Sequence, residues 1–205
     1  SDFSLDRNAL LAAMDRYRPA LIFVASPNNP TGNLFDEQSV CDLIEAAPGL
    51  IILDEAYVAF SGHTYLDYLK KYPHLLIMRT LSKMGMAGLR VGFMMGNPDW
   101  IKTLEKLRLP YNINSLSQLS AIFALRHWSI FADNLQQICQ EREWLTQQLS
   151  NLGYLQVYPS AANFILVRAS HNQGKHIFQE LLKQKNLFLI IIYTYNHQLL
   201  NTASK

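Results

Sequence analysis

Lys83 stands first among the residues able to do chemistry. It sits between Ser82 and the pair Met84-Gly85, just past an apolar run, where desolvation would favour the neutral, nucleophilic amine. A solvated surface lysine is the ordinary alternative. Asp54 closes a second apolar run, Leu50 to Asp54, and a carboxylate at the end of a buried strand is costly unless something pairs with it. Asn29 and Tyr57 can each hydrogen-bond an anionic oxygen. Thr80, Ser82 and Arg90 bring hydroxyls and a guanidinium fork suited to phosphate. Taken singly, each has a plainer role: Asp54 as a cap, the Pro27 to Gly32 stretch as a turn, the others as packing. Their joint order raises them above those roles, because Asn29, Asp54, Tyr57, Lys83 and Arg90 arrive at successive strand ends.

The elements that must position them follow from short β-rich runs alternating with helical patterns. Leu21 to Ala25 reads as a strand, Asp36 to Ala47 as a helix and Leu50 to Asp54 as a strand, a βαβ unit. Further runs at Leu75 to Arg79 and Val91 to Gly96 extend the sheet. Their continuous hydrophobicity predicts strands covered on both faces and mostly parallel. In such a sheet ligands bind outside the carboxyl ends of the strands, where Ser26-Pro27-Asn28-Asn29-Pro30-Thr31-Gly32, Asp54-Glu55-Ala56-Tyr57 and Thr80-Leu81-Ser82-Lys83 all fall. From Pro98 to about Asn151 the pattern turns helical, interrupted at Pro110, and the stretch Trp128 to Leu152 reads as core packing through Leu145, Leu149 and Leu152. The last quarter reads as a smaller α+β set: strands Leu155 to Tyr158 and Asn163 to Arg168, a helix near Gly174 to Lys185, and a strand Leu187 to Tyr193. The division expected is 1–110 for part of a large α/β domain, 111–150 for connecting helices and 151–205 for an incomplete small domain.

Composition narrows the class. The chain has 205 residues, 49% apolar and only 17% charged, so it can bury a sizeable core. A net charge of +2 without a basic run gives no sign of nucleic acid or an anionic membrane as partner. The two cysteines, Cys41 and Cys139, are far apart, have no metal-ligand spacing and are expected to pack as small apolar residues of a reducing compartment. The longest apolar run falls short of the ~18 residues of a spanning helix. The expectation is a cytoplasmic protein. The six histidines are scattered without ligand spacing, so no metal is assigned. Arg168 reads equally as an anion binder or a solvated strand-end arginine.

SPNNPTG at Ser26 to Gly32, DEAY at Asp54 to Tyr57, TLSKMGMAGLRVGF at Thr80 to Phe93 and ANFIL at Ala162 to Leu166 together resemble one family. It is the class I and II pyridoxal-phosphate-dependent aminotransferases, most closely the histidinol-phosphate aminotransferases. The resemblance implies the three-layer α/β large domain of fold type I, with a mostly parallel sheet, followed by part of a small α+β C-terminal domain. It implies that Lys83 carries pyridoxal 5'-phosphate through a Schiff base and moves the substrate proton. Asp54 would pair with the pyridine nitrogen, Asn29 and Tyr57 would bind the phenolic oxygen, and Thr80, Ser82 and Arg90 would hold the phosphate. Asn29 and Asn163 would meet substrate.

The substrates implied are a small-molecule amino donor, L-histidinol phosphate, with 2-oxoglutarate as acceptor, in a homodimer. Two other readings stand beside this one. The first is a different member with the same core, either an aromatic aminotransferase or a threonine-phosphate decarboxylase. The second is a non-catalytic remnant. The family also carries an N-terminal phosphate-binding loop, an aromatic residue stacked on the ring and a C-terminal Leu-Arg-Ile-Thr-like strand. None has a counterpart in this sequence, so a chain incomplete at both ends, inactive or unstable alone and with apolar sheet surface uncovered, is expected.

Overall fold

The computed structural model describes residues 2–170 and 173–184. The strand expected at Leu187 to Tyr193, with His171 and His197, lies outside the described residues.

Two aspartates start the first two helices. Asp6 caps α1 (Arg7–Tyr17) by accepting from Ala9 N, and Asp36 caps α2 (Glu37–Ala46) by accepting from Ser39 N. Between and after them run β1 (Leu21–Ala25), β2 (Leu50–Asp54) and β3 (Leu75–Thr80), paired in parallel with Ala25 opposite Asp54 and Asp54 opposite Met78. That register sets the carboxyl ends of the strands level with one another. On α2 the buried positions Val40, Leu43 and Ile44 recur at three- and four-residue spacing. They meet Ile51 and Leu53 of β2, Leu75 and Ile77 of β3, and Met14 of α1 in the main core.

A short helix, α3 (Val58–Ser61), follows β2 directly, with Tyr57 as its N-cap residue. The fourth strand, β4 (Gly92–Gly96), pairs with β3 antiparallel. The reason is length. Residues 81–91 form only two 3-10 turns, Ser82–Met84 and Ala87–Leu89, whereas a parallel neighbour needs a crossover of roughly a dozen or more residues. The sheet order is β1-β2-β3-β4.

Three helices then lead away from the sheet: α4 (Pro98–Glu105), α5 (Ser115–Arg126) and α6 (Trp128–Ser150). Pro110 falls between α4 and α5. A two-stranded antiparallel sheet, β5 (Leu155–Val157) with β6 (Val167–Ala169), and the helix α7 (Gly174–Lys183) complete the described chain.

Three expectations are corrected. The strand expected at Asn163 to Arg168 is confined to β6, because Ser160 Oγ donates to Phe164 O at 2.5 Å and turns that stretch into a loop. On α6 only Leu135 is buried; Leu145 and Leu149 are half-buried and Leu152, just past its end, is exposed, so the helix enters a core through Leu135 and Cys139 and not through those three leucines. The strands are not covered on both faces throughout. Alternation sends Ile22 and Val24 of β1 into the core and leaves Phe23 61% exposed on the other face. Both cysteines pack as small apolar residues as expected: Cys41 is buried, and Cys139, half-buried, packs against the cluster of Tyr57, Phe60, Leu135 and Ala162. Among the described residues no helix is long and apolar enough to cross a membrane.

Candidate active site

The level strand ends of β1, β2 and β3 open onto a cavity of about 210 Å3 lined by Ala25, Pro27, Asn29, Asp54, Ala56, Tyr57 and Lys83. It is smaller than the roughly 300–1,000 Å3 of drug-sized ligand pockets, the scale of one substituted ring. Each chemical group arrives from a different strand end. Asp54 is the last residue of β2, and its Oδ1 accepts from Ala56 N at 3.0 Å, which leaves Oδ2 as the remaining acceptor. Tyr57 is buried, and its hydroxyl accepts from Asn29 Nδ2 at 2.9 Å. Lys83 reaches over from the turn after β3 and sets Nζ 5.1 Å from the centre of the Tyr57 ring, a geometry that suits an ammonium over a π face.

Four of the residues singled out by sequence therefore share one cavity: Asn29, Asp54, Tyr57 and Lys83. The others lie around it without lining it. Thr80 Oγ1 donates to Val91 O at 3.2 Å and accepts from Ser82 N at 3.0 Å, so it ties the Lys83 turn to the start of the return strand. Arg90 donates to Ala87 O and holds a left-handed φ of 54°, a conformation that long side chains seldom adopt. Asn163 is exposed on the loop before β6, between Ala162 and Phe164, which both pack against Tyr57.

Several further residues hold the site in place. Glu55, wholly buried beside Asp54, accepts from Arg79 Nε and Nη2 on one oxygen at 2.9 and 2.7 Å. Its other oxygen takes Tyr65 N at 2.7 Å, and Thr64 Oγ1 donates into the same carboxylate. The one clue in the sequence was a glutamate at a buried strand end, which demands a cation. Phe164 sets its ring edge-on to Tyr57 with centroids 5.2 Å apart. Gly32, with φ 79°, passes so close to Ser160 that a Cβ there would lie 2.8 Å from Oγ, and its carbonyl accepts from Ala161 N at 2.7 Å. Of the groups placed elsewhere, Arg168 stacks its guanidinium 5.6 Å from the Tyr158 ring. Among the described residues no group of three His, Cys, Asp or Glu can hold a metal ion.

An amine, a carboxylate and a hydrogen-bonded phenol around a ring-sized cavity at the carboxyl edge of a parallel sheet are the donor set for an anionic aromatic carbonyl compound. The remaining acceptor of Asp54 suits a protonated ring nitrogen, the Tyr57–Asn29 pair an anionic ring oxygen, and Lys83 an aldehyde carbon. The comparisons agree with that class. Residues 1–197 match the family described as Aminotransferase class I and II, and the chain belongs to it.

The chain is 54% identical over 177 residues to histidinol-phosphate aminotransferase 2 of Nitrosococcus oceani, covering 86% of this chain and 49% of that protein. It is 44% identical over 192 residues to histidinol-phosphate aminotransferase 1 of Ralstonia nicotianae, covering 91% and 51%. Among solved structures it superimposes on the histidinol-phosphate aminotransferase of Clostridium acetobutylicum with a TM-score of 0.83 and 26% identity, covering 90% of this chain and 57% of that one. The Sinorhizobium meliloti enzyme, solved in complex with pyridoxal-5'-phosphate, gives 0.82 and 26%, covering 93% and 54%. The fold is the α/β fold of these aminotransferases, fold type I. The chain spans about half the length of the curated relatives it matches.

Proposed function

We propose that this chain carries the cofactor centre of a pyridoxal 5'-phosphate-dependent aminotransferase that moves an amino group between L-histidinol phosphate and 2-oxoglutarate. The observation that carries the reading is the convergence of Asn29, Asp54, Tyr57 and Lys83 on one cavity. Lys83 Nζ would hold the cofactor through its aldehyde carbon. Asp54 would pair with the protonated ring nitrogen, and Tyr57 with Asn29 would hold the ring oxygen. Thr80, Ser82 and Arg90 are proposed to hold the phosphate, Thr80 and Arg90 after leaving their present partners Val91 O and Ala87 O, and Asn163 is proposed to meet substrate. When bound, the cofactor supplies an electron sink for charge developing at the substrate's Cα. Lys83 Nζ would serve as the general base and acid that moves the proton at that carbon.

Relatives at 40–54% identity named for histidinol phosphate favour amino transfer over the related decarboxylation. The L-threonine-O-3-phosphate decarboxylase of Porphyromonas gingivalis, at 22% identity, shares the fold alone. The proposed division is a large-domain part over 1–110, connecting helices over 111–150 and a small-domain part over 151–205. A cytoplasmic homodimer is part of the same proposal, supported by the free cysteines and by the exposed apolar face of β1.

The test is an absorbance spectrum of the purified protein with pyridoxal 5'-phosphate, before and after borohydride, beside Lys83→Ala. A visible band and a label confined to the peptide bearing Lys83, both lost in the variant, are expected. Labelling scattered over surface lysines, or equal in Lys83→Ala, would overturn the reading. Rates with L-histidinol phosphate against aromatic amino donors then decide the substrate.

A further inference from the structure

Arg142, in the middle of α6, keeps only 12% of its side chain exposed, unusual for an arginine whose one ionic partner among the described residues, Glu143, is 64% exposed. Its buried end is spent on backbone. Nη1 donates to Phe60 O at 3.2 Å and to Ala162 O at 3.0 Å, two carbonyls from segments a hundred residues apart in sequence, while Nε and Nη2 reach Glu143. Phe60 belongs to α3, the helix that Tyr57 caps, and Ala162 opens the loop that carries Phe164. All three of Tyr57, Phe60 and Ala162 are buried in one small cluster with Leu135 of α6, and Phe164 packs onto it.

We propose that Arg142 is a positioning residue for Tyr57. One guanidinium nitrogen holds the Ala162–Phe164 loop against α3. The loop in turn presses the Phe164 edge against the Tyr57 ring, so the Tyr57 hydroxyl faces Asn29 across the cavity. The geometry is directional. A lysine in place of Arg142 has a point charge on a flexible stem, which can donate to the same carbonyls but lacks the Nε and Nη2 donors that fix the guanidinium plane on Glu143. The inference rests on the cofactor reading above, since Tyr57 matters to chemistry only if the cavity takes the ring.

The experiment measures the rate at which pyridoxal 5'-phosphate followed by borohydride labels Lys83 in the full chain, as a function of pH, with urea denaturation run in parallel. Arg142→Met should slow labelling by about ten- to a hundredfold, the scale on which small misplacements of site groups act. It should also move the pH midpoint of labelling in the same direction as Tyr57→Phe. In the Tyr57→Phe background Arg142→Met should add nothing, because both act through one group, and Arg142→Lys should restore part of the rate. Effects that simply add, or a lowered denaturation midpoint with labelling unchanged, would overturn the proposal. If Arg142→Met fails to fold, Phe164→Leu breaks the same relay one contact later and must show the same coupling to Tyr57→Phe.

If wild-type Lys83 is not labelled, the cofactor reading fails and amide hydrogen exchange of the cofactor-free protein decides the positioning role. The amides of Val58, Phe60 and Ala162, hydrogen-bonded within these segments, should then exchange faster in Arg142→Met while β2 and β3 stay protected. Uniform acceleration, or none, overturns it.

Discussion

Glu55 and Arg79 form an ion pair behind the cavity, not in it: one carboxylate oxygen takes both Nε and Nη2, at 2.9 and 2.7 Å, with Glu55 fully buried and the Arg79 side chain 22% exposed. Glu55 follows Asp54 at the end of β2, and Arg79 precedes Thr80 at the end of β3. The pair therefore fastens the strand end that carries Asp54 and Tyr57 to the strand end that carries Lys83. Two halves of the site are held in register by charges that never reach the ligand.

Removing one partner of this pair should cost far more than removing both. Arg79→Met leaves Glu55 as an uncompensated buried carboxylate, a change on the order of 3–5 kcal/mol, whereas Arg79→Met combined with Glu55→Gln should recover much of that loss. Urea denaturation of the two single variants and the double variant gives the coupling. Costs of the two single changes that simply add in the double variant would mean the pair is structurally idle.

Gly32 and Gly62 make a paired comparison. Both have positive φ, 79° and 67°, but only Gly32 faces a close neighbour, with Ser160 Oγ 2.8 Å from where a Cβ would stand. Gly62→Ala should cost only the left-handed penalty, about 1–2 kcal/mol. Gly32→Ala should cost more and should also slow Lys83 labelling, because the Ser160 loop and the Asn29 turn must part. Equal losses in the two variants would show that the Ser160 contact carries no weight.

Acid should weaken the packing of α2 through Glu45. Its carboxylate accepts from the Tyr72 hydroxyl and from Lys71 Nζ, and these bonds, Tyr72 first, hold it below the usual 4.5. A folded value below the unfolded one means the contribution is complete above about pH 4.5 and is lost as pH falls through the folded value. Urea midpoints followed from neutral pH into that window should fall less steeply in Glu45→Gln than in the parent chain. Identical slopes would assign the acid sensitivity to other carboxylates.

Much of the site was legible because its chemistry is coded locally. Asn29, Asp54 and Lys83 each stand within a few residues of an apolar run, and the parallel pairing of three such runs forces their ends to the same edge. The β6 boundary was not legible: apolar residues from Phe164 to Leu166 read as strand, yet Ser160 Oγ, four residues back, donates to Phe164 O and holds that stretch as a loop. The coverage of β1 was misread for a related reason. Continuous hydrophobicity says that both faces avoid water, but not which described element covers each, and Phe23 has none.

By itself, then, the sequence determined the alternation of strands and helices, the strand-end placement of the reactive residues and the turn at Gly32, all set by periodicity and backbone preference over a handful of neighbours. The tertiary structure alone decided the antiparallel return of β4, the Glu55–Arg79 pair and the reach of Arg142 to Phe60 and Ala162. Those depend on side chains from distant segments meeting in a dry interior, where a charge must find whichever partner the fold brings to it, and no local pattern records that partner's position.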